Sequence, residues 1–187
     1  LARNIFLLNT FRGEDSAGML DYSPEIKDKL TLYWQSEAHP FTFIKNTFDL
    51  QCNSRWKKDQ PKILAVHCRA ATQGKIKKKN AHPFSHKHIC GMHNGTITKK
   101  FKHTDEYATD SEALYRNIND YGLEEALNEE EGFTSAWALT YVDKINYTLN
   151  LIRNDKRPLY WTVADANSMI VWASEDWMLR ETIKRFW

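Results

Sequence analysis

The sequence predicts a layered α+β fold, and two observations carry this prediction. Segments rich in aromatic and β-branched residues alternate with segments of helical periodicity through the first two thirds of the chain. The last third consists of four short strand-like segments separated by short turns, a pattern typical of an antiparallel meander. At 187 residues, the chain is expected to form a single domain over residues 1–187.

Composition limits the classes of protein that the chain can belong to. Hydrophobic residues make up 42% and charged residues 27%, as in an ordinary folded protein rather than a disordered one. The net charge of +2 gives no global reason to expect nucleic-acid binding. Three irregularly spaced cysteines argue against a secreted disulfide scaffold and favour a reducing, cytoplasmic location. The longest apolar runs are too short to cross a membrane, so no membrane partner is expected.

The first half of the chain is predicted to contain two helices and four strands. Residues 1–11 are predicted to be the end of a helix. Residues 39–52 show a helical stripe with Phe41, Ile44, Phe48 and, less regularly, Phe43 on one face. Four strands are predicted in this half, at residues 16–22, 30–36, 62–71 and 86–93.

Two helices are predicted next, at residues 110–121 and 123–131. The first begins with a capping box, in which the Thr109 side chain and Glu112 satisfy free backbone N–H groups at the helix start.

The final part of the chain is predicted to be the meander and a closing helix. The meander strands are predicted at residues 134–143, 146–153, 159–164 and 168–173. Ser174 is predicted to cap a helix over residues 175–186. Trp177, Leu179 and Ile183 are expected to face the core from this helix.

Three polar sites lie at ends of predicted elements, and each allows two interpretations. Asn94–Gly95 is either a hairpin turn or a pair of hydrogen-bond donors for a developing oxyanion. Asp110 is either a solvated residue favoured by the helix dipole or a carboxylate that receives a substrate ammonium. Arg69 is either an exposed strand-end residue or a residue whose planar guanidinium binds a substrate carboxylate. Arg69 and Asp110 together would hold both ends of an α-amino acid.

Other kinds of site have weaker support. Zinc is an alternative, because five possible ligands fall between residues 82 and 93, but they lack a standard ligand spacing. These five are His82, His86, His88, Cys90 and His93. No G-x-S-x-G motif points to a serine triad. The lysines of residues 75–79 lack interleaved aromatic residues and are predicted to form a solvated loop. We therefore predict no metal, no cofactor and no nucleic-acid partner.

Seven short motifs follow one another in a distinctive order. They are Arg12–Gly18, His67–Gly74, Asn80–Pro83, His93–Gly95, Thr109–Glu112, Arg153–Leu159 and Ala173–Glu175. In this order they resemble the glutaminase domain of class II glutamine amidotransferases, a branch of the N-terminal-nucleophile (Ntn) hydrolases. Each motif is weak alone, but the resemblance covers nearly the whole chain.

The resemblance implies a fold and an activity. The implied fold is a four-layer αββα sandwich of two mainly antiparallel sheets flanked by helices. The implied activity is hydrolysis of L-glutamine to glutamate and ammonia, with the ammonia passed to a separate synthase or transferase. No cofactor is implied.

The resemblance also assigns catalytic positions. Asn94 and Gly95 would form the oxyanion hole, and Arg12 and Gly13 would line the pocket of the nucleophile.

Five further residues are expected to bind the substrate. Arg69 would bind the α-carboxylate of glutamine, and Asp110 its α-ammonium. Thr72 and Gln73 would belong to the loop over the substrate, and His82 of the Asn-Ala-His-Pro motif completes the set.

The nucleophile departs from the family pattern. The family uses the thiol of an N-terminal cysteine, with its own α-amino group as base, whereas position 1 is Leu1. The cysteines present lie inside the chain, and Cys68 and Cys90 are predicted to be small buried strand residues. We therefore expect the first strand and its cysteine upstream of Leu1. The alternative is a non-catalytic binding or structural protein of the same fold. Aromatic residues near Tyr160–Trp161 and Trp172 would either form its docking face or belong to the core.

Overall fold

A computed structural model describes residues 1–22, 31–101, 104–128, 134–164 and 168–184. The helices in these ranges are α1 (Ala2–Asn9), α2 (Pro40–Phe43), α3 (Asp49–Asn53), α4 (Asp110–Tyr121), α5 (Leu123–Leu127) and α6 (Asp176–Ile183). The strands are β1 (Ser16–Tyr22), β2 (Thr31–Ser36), β3 (Ile63–Arg69), β4 (Phe84–Ser85), β5 (Ile89–Thr96), β6 (Ala136–Asp143), β7 (Thr148–Arg153), β8 (Tyr160–Ala164) and β9 (Met169–Ala173). None of these helices is long and apolar enough to span a membrane.

The strands form three antiparallel sheets. The first sheet has the order β2-β1-β3, the second β4-β5-β6-β7, and the third pairs β8 with β9. In the first sheet Ser16 lies opposite Arg69, and in the second Asn94 lies opposite Ala138. These registers bring the end of β3 and the end of β5 into fixed positions within their sheets.

The first and second sheets pack face to face. Their shared core consists of Leu20, Tyr22, Ala65, Cys90, Met92 and Val142. Trp172 of the third sheet packs against the same cluster, so the third sheet also contacts this shared core. The buried apolar side chains of both faces form the central layer of the molecule.

Helices cover the outer faces of the sheets. Phe6 of α1 packs edge-on against Phe43 and Phe48, with ring centroids 5.8 and 5.5 Å apart, over the first sheet. Leu114 of α4 lies in the core cluster of the second sheet, and Met178 of α6 in that of the third. The layers are therefore helix, sheet, sheet and helix, and the predicted α+β sandwich is confirmed.

The prediction of a hairpin turn at Asn94–Gly95 is wrong. Both residues lie inside β5, with Gly95 opposite Trp137. Gly95 has φ +141°, and a Cβ atom there would lie 1.9 Å from the carbonyl oxygen of Ala136. Glycine is required because the neighbouring strand approaches too closely for a side chain.

The predicted continuous helix over residues 39–52 is also corrected. A π-helical turn at Ile44–Phe48 separates α2 from α3. Phe43, Ile44 and Phe48 are buried, whereas Phe41 of the predicted apolar face is 55% exposed.

The predicted meander divides between two sheets. The strand β7 pairs with β6 in the second sheet, whereas β8 pairs with β9 in the third. Asn154 ends the pairing of β7, because its side-chain oxygen accepts from the backbone N–H groups of Trp137 and Lys156.

The closing helix begins later than predicted. Glu175, not Ser174, occupies the N-cap position. Met178 and Leu179 are buried and Ile183 packs partly against them, whereas Trp177 is 42% exposed. Residues 129–131 and 185–186 of the predicted helices lie outside the described residues.

The core of the second sheet gives a stability prediction. Leu139 of β6 is fully buried, so Leu139→Ala removes apolar contacts and leaves a cavity. We expect a loss of about 3 kcal/mol in the free energy of unfolding, measured by urea denaturation. Ile145→Ala is the control, because Ile145 is 58% exposed and should cost far less. Equal losses for the two variants would contradict the assigned core.

Candidate active site

A cavity of about 710 Å³ lies where the ends of β3, β5 and β9 meet the start of α4. It collects residues that are far apart in the sequence. Eight of the predicted site residues line it, namely Arg12, Arg69, Thr72, Gln73, His82, Asn94, Gly95 and Asp110. The ninth, Gly13, packs against β3, where a Cβ atom would lie 2.2 Å from the carbonyl carbon of Arg69.

Arg69 supplies a buried cation at the end of β3. The residue is 6% exposed, and its Nη2 donates to the carbonyl oxygen of Gln73. Among the described residues its Nη1 has no hydrogen-bond partner. Burial lowers the pKa of Arg69, and the carboxylates of Asp15 and Asp110 oppose that shift. The guanidinium therefore has one side available for an anionic ligand.

Asp110 supplies a carboxylate at the first residue of α4. The predicted N-cap is confirmed, since the Thr109 side chain accepts from the backbone N–H of Glu112 at 3.2 Å. The Oδ2 atom of Asp110 accepts from the backbone N–H of Ile97 at 2.8 Å. Its Oδ1 atom accepts from the backbone N–H of Ser111, also at 2.8 Å. These two bonds fix the direction of the carboxylate at the cavity wall.

The end of β5 presents a free amide donor. Among the described residues the buried Nδ2 of Asn94 has no partner. Gly95 follows it in the cavity wall, held by the close approach of Ala136. An unpaired buried donor is costly, so such groups are typical of sites that a ligand completes.

Arg12 joins two of the motifs. Its Nη1 donates to Oε1 of Glu175 at 2.6 Å, and both side chains are partly buried. The ion pair fixes Arg12 at the start of α6, on the cavity side. Sequence reasoning placed Glu175 in a motif but assigned it no role.

Three histidines form a neutral group beside these charges. His67 Nε2 donates to the backbone oxygen of His93 at 3.1 Å, and the His82 ring lies 4.0 Å from the His67 ring. Burial lowers the pKa of His67 and of His93 to about 4, and that of His82 well below 6.5. Within the described ranges, no group of three or more histidine, cysteine or acidic side chains is arranged to hold a metal ion.

Two cavity residues were not singled out by the sequence. Arg157 lines the cavity near His93, and in the described part of the chain its buried Nε has no partner. Arg157 directly precedes Pro158 in one of the seven motifs, and this position was the signal in the sequence that could have indicated it. Ser111 is 5% exposed and bonds to His93 through its side chain, a contact that no spacing rule indicates.

The cysteines are not activated. Cys68 is 4% exposed and Cys90 fully buried, as predicted, and burial raises the pKa of each thiol to about 12. Cys52 also lines the cavity, and burial raises the pKa of its thiol as well. At neutral pH all three thiols are therefore protonated and poorly nucleophilic.

The cavity extends along two strand edges. Residues of β3 from Ile63 to Arg69 line one side, and residues of β9 from Met169 to Ala173 line the other. Within the described residues, β3 pairs only with β1 and β9 only with β8. Each strand therefore has a free edge beside the cavity.

The buried His93 makes stability sensitive to acid. Its folded pKa of about 4 lies below its ordinary value of 6.5, so the unfolded chain takes up a proton first as the pH falls. The stabilisation is present above pH 6.5, and up to about 3 kcal/mol is lost between pH 6.5 and 4. Urea denaturation across this range should show a shallower pH slope for His93→Gln. The same slope in both proteins would contradict the burial of a neutral His93.

Comparisons with known proteins found similarity in part of the sequence and in the fold. No family model matches the chain. The probable glutamine amidotransferase DUG3 of Saccharomyces cerevisiae is 30% identical over 96 residues, covering 49% of this chain and 24% of that relative. The match thus spans about a quarter of the curated relative's length.

A solved structure matches almost the whole chain. It is described as the allosteric regulatory enzyme of purine biosynthesis and is a class II amidotransferase of the Ntn type. The match covers 96% of this chain and 40% of that one, with a TM-score of 0.68 and 19% identity, which shows a shared fold. The partial sequence match and the shared fold together confirm that this chain resembles the class II glutamine amidotransferase domains and has their Ntn-type α+β fold.

Proposed function

We propose that this domain binds L-glutamine and hydrolyses its side-chain amide to glutamate and ammonia. One observation carries the proposal: a single cavity is lined by a buried guanidinium, a carboxylate and an unpaired amide donor. These groups belong to Arg69, Asp110 and Asn94. They match the three polar parts of glutamine, which are its α-carboxylate, its α-ammonium and its side-chain carbonyl oxygen.

Charge complementarity supports an α-amino acid as the ligand. Arg69 would pair through its free Nη1 with the α-carboxylate, in a site where burial strengthens the ion pair. The carboxylate of Asp110 keeps acceptor capacity beside its two backbone donors and would receive the α-ammonium. A ligand that lacks either charge would leave its partner uncompensated, which makes the site selective.

Asn94 and Gly95 would supply the oxyanion hole. In the proposed reaction a thiolate attacks the amide carbon, and negative charge develops on the former carbonyl oxygen. The side-chain amide of Asn94 and the backbone N–H of Gly95 would stabilise this charge. Collapse of the intermediate breaks the C–N bond, and the nitrogen leaves as ammonia after it gains a proton. Water then hydrolyses the thioester to glutamate and restores the thiol.

We infer that the nucleophilic cysteine belongs to a segment upstream of Leu1. The protonated, buried thiols of the chain support this, since none is activated for attack. The two free strand edges along the cavity support it further, because an extended segment could hydrogen-bond there. The first residue of such a segment, the cysteine, would lie beside Arg12, where the expected pocket of the nucleophile lies.

The product ammonia is proposed to pass to a separate acceptor enzyme, a synthase or transferase. A reducing, cytoplasmic location is proposed as well, because all three cysteines are free thiols.

One observation favours a second candidate function. The exposed side chains of Trp161, Val163 and Ile170 lie on one face of the third sheet, and Tyr160 is 44% exposed. The same face carries Trp172, which packs against the central core, and Ile170 also lines the cavity. An exposed apolar face suits a binding or structural protein that keeps the amino-acid pocket without catalysis. An assay of ammonia release from L-glutamine, with protein that carries its upstream segment, distinguishes the two functions. Ammonia release would favour the first. Binding without ammonia release would favour the second.

Ligand binding gives the first functional prediction. Arg69→Gln removes the charge proposed for the α-carboxylate and should weaken L-glutamine binding roughly tenfold to a hundredfold, measured by isothermal titration calorimetry. Arg180→Gln is the matched control, because Arg180 is exposed on α6 and should bind as the parent does. If the parent chain does not bind L-glutamine, the proposed substrate is wrong.

Turnover gives the second functional prediction. In protein that carries the upstream segment, Asn94→Ala should lower kcat by roughly two to three decades and leave glutamine binding intact. The physical reason is that the amide donor acts only on charge formed during the reaction. Asn146→Ala, in an exposed turn, is the control. An unchanged kcat for Asn94→Ala would refute the oxyanion assignment.

A further inference from the structure

We propose that Ser111 is a positioning residue, which links the carboxylate of Asp110 to the oxyanion strand β5 through His93. The inference rests on the proposed function, because it assigns to Ser111 the task of coupling α-ammonium binding to the placement of Asn94. It adds a residue that the motifs did not single out for any role.

The link is a continuous hydrogen-bonded path. The Ser111 side-chain oxygen lies 2.9 Å from Nδ1 of His93 and 3.3 Å from Oδ1 of Asp110. The same Oδ1 accepts from the backbone N–H of Ser111 at 2.8 Å. Both His93 and Ser111 are almost fully buried, so water does not compete for these bonds.

Proton counting gives the path a direction. A hydroxyl has one proton to donate, and an ionised carboxylate can only accept. Ser111 therefore donates to Asp110 and accepts from the Nδ1–H group of His93. This fixes the tautomer of His93, with its proton on Nδ1 and a bare Nε2. Burial keeps the pKa of His93 at about 4, so the ring is neutral and its tautomer matters at physiological pH.

The first turn of α4 holds the segment that contains Asn94 and Gly95 on both of its sides. His93 precedes Asn94 directly and is held through Ser111. Ile97 follows the end of β5, and its backbone N–H donates to Oδ2 of Asp110. The two proposed oxyanion residues therefore lie between two attachments to the first turn of α4. An ammonium bound at Asp110 would act on bonds that hold Asn94 in place.

The tautomer of His93 is the direct test, and it uses the 187-residue chain as it is. Long-range ¹H–¹⁵N correlation spectra of ¹⁵N-histidine-labelled protein distinguish protonated from bare ring nitrogens. We expect a protonated Nδ1 and a bare Nε2 for His93. The opposite tautomer would overturn the inference, since Ser111 would then donate to His93 and not to Asp110.

Variants separate positioning from general packing. Ser111→Ala should abolish the fixed tautomer, and Ser111→Thr, which keeps a hydroxyl, should retain it. Ser135→Ala is the matched control, because Ser135 is a fully buried serine that accepts from the backbone N–H of Thr98. A change in the His93 tautomer in Ser135→Ala as large as in Ser111→Ala would overturn the inference.

Ligand titration tests the coupling separately from the proposed function. L-Glutamine should shift the His93 Nδ1 signal in the parent, and glutaramate, which lacks the α-ammonium, should shift it much less. In Ser111→Ala the difference between the two ligands should disappear. If glutamine binds but this difference persists in Ser111→Ala, the coupling is wrong. If glutamine does not bind at all, the proposed function fails, whereas the tautomer result still decides the role of Ser111.

Discussion

The carboxylate of Asp110 connects the parts of the molecule that form the cavity. By accepting from Ile97 and Ser111, it joins the first turn of α4 to the end of β5. A helix start has free N–H groups and a partial positive charge, so a carboxylate is stable there and its direction is fixed. The bond to Ile97 adds to the pairing of β5 with β6 in holding Asn94 at the cavity wall.

Burial then sets the electrostatics of the site. Arg69 keeps its charge in a poorly hydrated place, with the carboxylates of Asp15 and Asp110 near it. Burial also lowers the pKa of the neighbouring His67 and His93 imidazoles, to about 4, so both rings are neutral at neutral pH. A charged histidine beside Arg69 would add repulsion where water cannot screen it. The cavity wall therefore presents the cation of Arg69 and the carboxylate of Asp110 beside neutral imidazoles, with Arg12 and Arg157 also in its lining. The opposite charges of Arg69 and Asp110 suit a zwitterionic ligand.

The sheet arrangement explains which strands line the cavity. The first and third sheets both contribute to or contact the central core but do not pair with each other in the described residues. The space between β3 and β9 is therefore lined by two strand edges, with the polar site at its end. The free edges are the feature that a further strand would complete.

The sequence alone determined the α+β class, the strands of the first sheet and the start of α4, because apolar periodicity and capping are local properties. Ordered motifs also indicated Arg69, Asp110 and Asn94 as partners. Only the tertiary structure decided that Gly95 lies inside a strand, since the neighbour that excludes a side chain is Ala136, distant in sequence. The bond between Ser111 and His93 was equally hidden, because sequence patterns record spacing along the chain and not which buried groups meet.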